Sequence, residues 1–275
     1  MADNVPTARL AGALRIKPGS KVRLRDFDAG QTHGHDKAGA KATETAQEER
    51  LTSIQERLWA ESKHPVLIVL QGIDAAGKDG TIRKVMDAFN PQGCTVTGFK
   101  VPTPLELSHD YLWRAHPHLP EKGTIAIFNR SYYEDVLVVR VHGFAPEPVW
   151  RKRYDQINDW ERMLTEEGTT IIKFFLCIDR DEQKARLEAR RDDPTKNWKF
   201  SAGDLAERAL WDQYEAAFDD CLERTSTEAA PWYLIPANKK WFRDLAVSRI
   251  VAETLEELDP HYPPLEPGSQ QLVVE

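Results

Sequence analysis

The chain has 275 residues, with 44 acidic against 37 basic ones for a formal net charge of −7, and it is 41% hydrophobic and 29% charged. This is the composition of an ordinary globular protein, and it excludes a disordered chain and argues against a general nucleic-acid coat, which would carry a basic excess. Three widely spaced cysteines, Cys94, Cys177 and Cys221, match no metal-ligand spacing and favour a reducing cytoplasmic setting.

In chain order, residues 1–45 show no sustained period and read as an N-terminal extension, an arm or a partly ordered segment. Met1–Leu14 lacks a basic stretch followed by an apolar one, so no secretory signal is expected. From Ala46 the pattern turns helical, with Leu51, Ile54 and Leu58 on one stripe until Pro65 ends it. Strand-like and helix-like segments then alternate, as in an α/β domain with a parallel sheet. The candidate strands are Val66–Gln71, Thr95–Lys100, Thr124–Asn129, Thr170–Ile178 and Trp232–Ile235. Candidate helices fall at Gly80–Phe89, Leu105–Ala115, Pro148–Leu164, Arg180–Arg191, Gly203–Leu222 and Lys239–Leu258. The aromatics Tyr154, Trp160, Tyr214 and Phe218 recur at helical spacing and read as core. The longest apolar runs, Val66–Leu70 and Ile171–Ile178 with Lys173 inside it, fall far short of the ~18 residues of a membrane span. No linker divides the chain, so one domain is expected over residues 46–262, with a tail over 263–275.

The strongest chemical signal is Gly72-Ile73-Asp74-Ala75-Ala76-Gly77-Lys78, a G-x-x-x-x-G-K that follows the first strand and opens a helix. In that context backbone N–H groups turn inward around phosphate oxygens, the helix adds its positive end, and Lys78 supplies a cation. Asp79 stands where such loops normally carry a Ser or Thr for magnesium. Metal binding must therefore be arranged differently. Asp74 reads as a magnesium ligand, as the group that orients the attacking oxygen, or as a cap on the loop backbone. At the end of the third strand comes Phe128-Asn129-Arg130-Ser131-Tyr132-Tyr133-Glu134-Asp135. Carboxyl ends of strands face the ligand crevice in such sheets, which puts Arg130 where it can neutralise a transferring phosphoryl group. Lys184–Lys199 holds six basic residues against three acidic ones, a local net of plus 3. On residues alone this fits a solvated helix face as well as a polyanion site.

These blocks, together with Asn90-Pro91-Gln92-Gly93, Asp193-Pro194-Thr195-Lys196-Asn197-Trp198-Lys199-Phe200-Ser201, Pro236-Ala237-Asn238-Lys239-Lys240-Trp241 and the early Arg15-Ile16-Lys17-Pro18-Gly19, resemble polyphosphate kinase family 2, and specifically its third class. The resemblance implies a thymidylate-kinase-like P-loop fold, a parallel five-stranded sheet flanked by helices with a helical lid over about residues 184–205. It implies catalytic Asp74, Lys78 and Arg130, with Asp74 on the metal. It implies a phosphate and nucleotide cradle of Gly72, Ala75, Ala76, Gly77, Lys78, Asp79, Gly80, Thr81, Asn129 and Glu134. The lid cations fall on Arg190, Arg191, Lys196 and Lys199. The implied cofactor is magnesium, with manganese as the alternative metal, and the implied partners are inorganic polyphosphate, AMP, ADP and ATP. A homo-oligomer without nucleic-acid or membrane partners is expected. No histidine, including His109, His116 and His118, carries a nucleophile role, so in-line transfer without a covalent intermediate is expected. The rivals are an ATP-dependent P-loop kinase and a nucleotide-binding regulatory switch. The third strand ends in Asn129, not in an acidic pair, which argues against the switch.

Overall fold

The structure, a computed structural model, describes residues 7–271. Its frame is a five-stranded parallel sheet of β1 (Val66–Gln71), β2 (Cys94–Gly98), β3 (Ile125–Asn129), β4 (Thr170–Cys177) and β5 (Trp232–Pro236), in the order β2-β3-β1-β4-β5. The helices are α1 (Thr7–Leu14), α2 (Lys37–Ala42), α3 (Glu44–Glu61), α4 (Lys78–Met86), α5 (Pro104–Leu107), α6 (Val138–Val141), α7 (Glu147–Glu166), α8 (Arg180–Asp192), α9 (Ala202–Ala209), α10 (Trp211–Thr225) and α11 (Lys240–Glu257).

Strand side chains alternate between two faces, so β1 sends Val66, Ile68 and Leu70 to one layer and Leu67 and Val69 to the other. The first layer holds Leu51, Ile54 and Leu58 of α3, Val85 of α4 and Phe242 and Leu245 of α11. The second holds Tyr154, Ile157 and Trp160 of α7 with Tyr214, Phe218 and Leu222 of α10. All three cysteines are buried and unpaired. Among the described residues no helix is long and apolar enough to cross a membrane.

Three expectations change. From Leu10 on, the N-terminal extension is docked and is not a loose arm. Leu10 and Leu14 of α1 enter the first layer, Ile16, Val22, Leu24 and Ala29 enter the second, and the Ile16 amide donates to Trp232 O at 2.8 Å. This covers β5, an edge strand whose free backbone groups would otherwise face water. The helix expected over Leu105–Ala115 stops after Leu107, because the Asp110 carboxylate accepts from the Leu112 and Trp113 amides and favours a turn. The helix expected over Gly203–Leu222 is two helices that meet at Leu210.

The register of the strands positions the site. Leu70 of β1 and Gly98 of β2 both lie level with Asn129 of β3. The ladder continues past the strand ends, with Arg130 N donating to Leu70 O and Phe99 N to Asn129 O, each at 3.0 Å. The chain segments after β1, β2 and β3 therefore emerge side by side.

Candidate active site

The loop between β1 and α4 wraps back on itself. Gly77 has φ +107° and a Cβ there would lie 1.9 Å from Arg243 Nη1, while a Cβ on Gly72 would lie 2.7 Å from Leu176 O, so both positions need glycine. Ala75 and Arg130 also adopt left-handed backbone, at φ 65° and 61°. Such conformations cost of order 1–3 kcal/mol each and persist where surrounding contacts enforce them.

Lys78 is buried, and its ammonium donates to Gly72 O at 2.6 Å and Ile73 O at 3.4 Å. Burial first, and the Arg130 charge second, push it down to about 8, against the pull of Asp74, Glu134 and Asp79. The Arg130 guanidinium pairs with Asp74 and lies 3.5 Å from Glu134 Oε2. Asp79 accepts from Asn129 Nδ2 at 2.9 Å and from Lys199 Nζ at 3.1 Å. Burial alone would raise the Asp79 carboxyl, but these two donors outweigh it and hold it low.

The Asp74–Arg130 pair stands between two chambers. The first, about 370 Å³, is lined by Ala75, Gly77, Lys78, Asp79 and Asn129, by Phe99 and Lys100 beyond β2, and by Arg190 and Lys199. It is rich in cations and suits phosphate. The second, about 220 Å³, has apolar walls of Ile73, Leu137, Val138 and Phe218, with Gly72, Glu134, His142, Glu207 and Tyr214. In it the Tyr214 hydroxyl donates to Glu207 Oε2 at 2.6 Å, and His142 Nε2 lies 3.1 Å from the same carboxylate.

The sequence-predicted residues are thus brought together only in part. Asp74, Lys78 and Arg130 converge with Ala75, Gly77, Asp79 and Asn129. Gly72 and Glu134 face the second chamber instead. Ala76 and Thr81 are fully buried and support the loop from behind, and Gly80 packs against Arg243. Of the four lid cations, Arg190 and Lys199 line the first chamber, whereas Arg191 and Lys196 are exposed and paired with Asp192 and Asp193. Arg186, counted in the same basic stretch, is mostly enclosed behind the loop and donates to its carbonyls. Phe99 and Lys100 were missed, although the rule that strand ends face the crevice applies to β2 as it does to β3. His142, Glu207 and Tyr214 carried no signal, because Tyr214 sits in the apolar stripe of its helix.

Among the described residues no three His, Cys, Asp or Glu side chains converge as a metal cage. Magnesium keeps several waters and is usually held by one or two carboxylates plus substrate phosphates. The Asp74 carboxylate, at a cationic chamber that Asp79 also lines, fits an ion of that kind.

The family model for Polyphosphate kinase 2 matches residues 34–263. The chain is 52% identical over 263 residues to a Meiothermus ruber protein named AMP/ADP-polyphosphate phosphotransferase, covering 95% of this chain and 98% of that one. It is 49% identical to a Rhodopseudomonas palustris ADP-polyphosphate phosphotransferase, covering 82% of each. The crystal structure of Polyphosphate Kinase 2 from Arthrobacter aurescens TC1 superposes with a TM-score of 0.90 at 46% identity, covering 94% of this chain and 92% of that one.

Proposed function

Since the chain belongs to the polyphosphate kinase 2 family, we propose that it transfers phosphoryl groups reversibly between inorganic polyphosphate and nucleotides, with AMP and ADP as acceptors and ATP as the final product. The observation that carries this reading is the full-length likeness to a relative named for AMP and ADP, joined to a cation-lined chamber at the phosphate loop.

The chemistry asked of the protein is positioning and charge neutralisation, since the transferring group spreads its negative charge over its oxygens. Lys78 and the loop amides hold one phosphate. Arg130, freed from Asp74, meets the charge that develops on the transferring group. Arg190 and Lys199 close the chamber from above and exclude water, which keeps the phosphoryl group for the nucleotide. Asp74 is the residue that would hold a magnesium or manganese ion, which would supply further neutralisation of the phosphate charge. Asn129 and Glu134 select among acceptors. The enzyme works as a cytoplasmic homo-oligomer, a setting that three unpaired cysteines support.

Protein, magnesium, polyphosphate and AMP are mixed without ATP, and nucleotides are separated over time. ADP followed by ATP is expected. No product from either AMP or ADP would overturn the reading in favour of an ATP-dependent kinase or a nucleotide-binding switch.

A further inference from the structure

The outer side of the phosphate loop is as organised as its inner side. The carbonyls of Asp74, Ala75 and Ala76 each accept a hydrogen bond from α8: Gln183 Nε2 donates to Asp74 O at 3.0 Å, and Arg186 Nη1 donates to Ala75 O at 2.9 Å and Ala76 O at 2.8 Å. Gln183 is 1% exposed and the Arg186 side chain 9%. The other arm of Arg186 spans to the segment after β5, with Nη2 donating to Ala237 O at 2.5 Å and Asn238 O at 3.0 Å, while Nε is fixed by Glu182 Oε1 at 2.7 Å. One guanidinium thus ties four carbonyls, two from the loop after β1 and two from the segment after β5. Its planar fork suits this, and a lysine could not reproduce it.

Peptide geometry gives these bonds a consequence. Carbonyls drawn outward toward α8 restrict how the flanking peptides can rotate, and so set which way the neighbouring N–H groups face. The Gln183 amide is itself fixed, because its Oε1 accepts from Arg208 Nη1 at 2.8 Å, which leaves Nε2 to face the loop. Arg208 belongs to α9 and also donates to Arg180 O at 2.7 Å. A chain of hydrogen bonds therefore runs from α9 through α8 to the backbone of Asp74.

We propose that Gln183 and Arg186 are positioning residues for the phosphate loop, and that Arg208 makes the loop's setting depend on where α9 stands. In this arrangement the foot of α8 is fixed to the loop by Arg186, and Arg190, one turn further on, is the first residue of that face to reach the chamber. Displacing α9 would release Gln183, and with it the Asp74 carbonyl.

The test compares wild type with Gln183→Met, Arg186→Lys and Arg208→Ala, the last of which removes a partly exposed side chain and leaves the core intact. Hydrogen exchange is read at Ala76 and Thr81, whose amides donate to Ile73 O and Gly77 O and hold the loop's shape. Each variant is expected to speed exchange there by at least about fivefold, with β3 amides unchanged, as for local opening. The kinetic arm rests on the transfer reaction proposed above: kcat is expected to fall roughly tenfold, with KM for the nucleotide within about twofold, as for a misplaced catalytic frame. Exchange is read on the free enzyme, so it decides the clamp even where wild type shows no turnover. Wild-type exchange at Ala76 and Thr81 in both Gln183→Met and Arg208→Ala overturns the proposal, and so does an equal acceleration in β3.

Discussion

Among the described residues two lysines are buried, Lys78 at the head of α4 and Lys173 in the middle of β4, and they are held in opposite ways. The Lys173 ammonium donates to Glu161 Oε2 at 2.6 Å, the Tyr133 hydroxyl at 2.8 Å and Thr225 O at 2.7 Å. The other oxygen of Glu161 accepts from the hydroxyls of Tyr132 and Tyr133, both at 2.7 Å. Every donor of Lys173 has a partner, and its charge is matched by a carboxylate. Lys78 has only loop carbonyls, with no carboxylate within ion-pair distance among the described residues. Burial pushes both ammonium groups down, but only Lys173 has its countercharge built in. A buried cation without a counterion is one prepared to receive an anion, whereas a fully satisfied one specifies packing.

The sharpest way to break the contrast is to remove each lysine in turn. Lys173→Met leaves the Glu161 carboxylate buried and unpaired, and is expected to cost about 3–5 kcal/mol in denaturant unfolding. Adding Glu161→Gln, which can still accept from the two tyrosines, should recover most of that. Lys78→Ala is expected to do the reverse. It should lower kcat by ~10²–10³-fold, as for loss of a charge-stabilising donor, with no loss of melting temperature. A Lys78 variant that folds and turns over normally would remove the phosphate-loop assignment.

The acceptor side gives a smaller effect. Asn129 donates to Asp79, so Asn129→Asp sets two carboxylates against each other at the chamber wall. The ratio of kcat/KM for AMP over that for ADP is expected to shift at least about tenfold, equivalent to roughly 1.4 kcal/mol, when both are measured with polyphosphate in excess. Glu134→Asn tests the second chamber's side of the same choice. An unchanged ratio in both variants would mean that neither residue selects.

Single lid cations should matter less, because exposed charge pairs are individually weak. Arg190→Ala and Lys199→Ala are expected to raise KM for polyphosphate roughly two- to fivefold, and Arg191→Ala and Lys196→Ala to stay near wild type. Equal effects at all four positions would mean that the whole segment, and not its chamber-facing side, holds the donor.

The smallest effect is on pH. Lys78 titrates near 8 in the fold, below its ordinary value near 10.5, so the unfolded chain binds more protons between those values and stability rises with pH across that window. Below the window both states are protonated and the full cost of burying the charge remains. Melting temperatures of wild type and Lys78→Met should therefore converge as pH rises from about 8 toward 10.5. A constant gap would mean that Lys78 is not the titrating group.

Sequence alone determined the frame and the place of the chemistry. The β1 run Val66–Leu70 is apolar throughout because both of its faces are covered, and the glycine spacing between that strand and the next helix points to a tight anion-binding turn. The position of Arg130 at a strand end followed from the same logic. Periodicity says which face of an element is apolar, but not which polar groups from separate elements will meet. Asp74 and Arg130 are 56 residues apart and pair only because β1 and β3 end level. In α8, Arg190 lies four residues from Arg186 and Arg191 four from the buried Leu187, so spacing could not choose between them. The tertiary structure chose, since Arg186 is pinned to the loop and carries Arg190 round to the chamber. The second chamber and the Gln183–Arg208 link were invisible for the same reason: they are built from side chains of several elements, and no one of those elements carries their pattern.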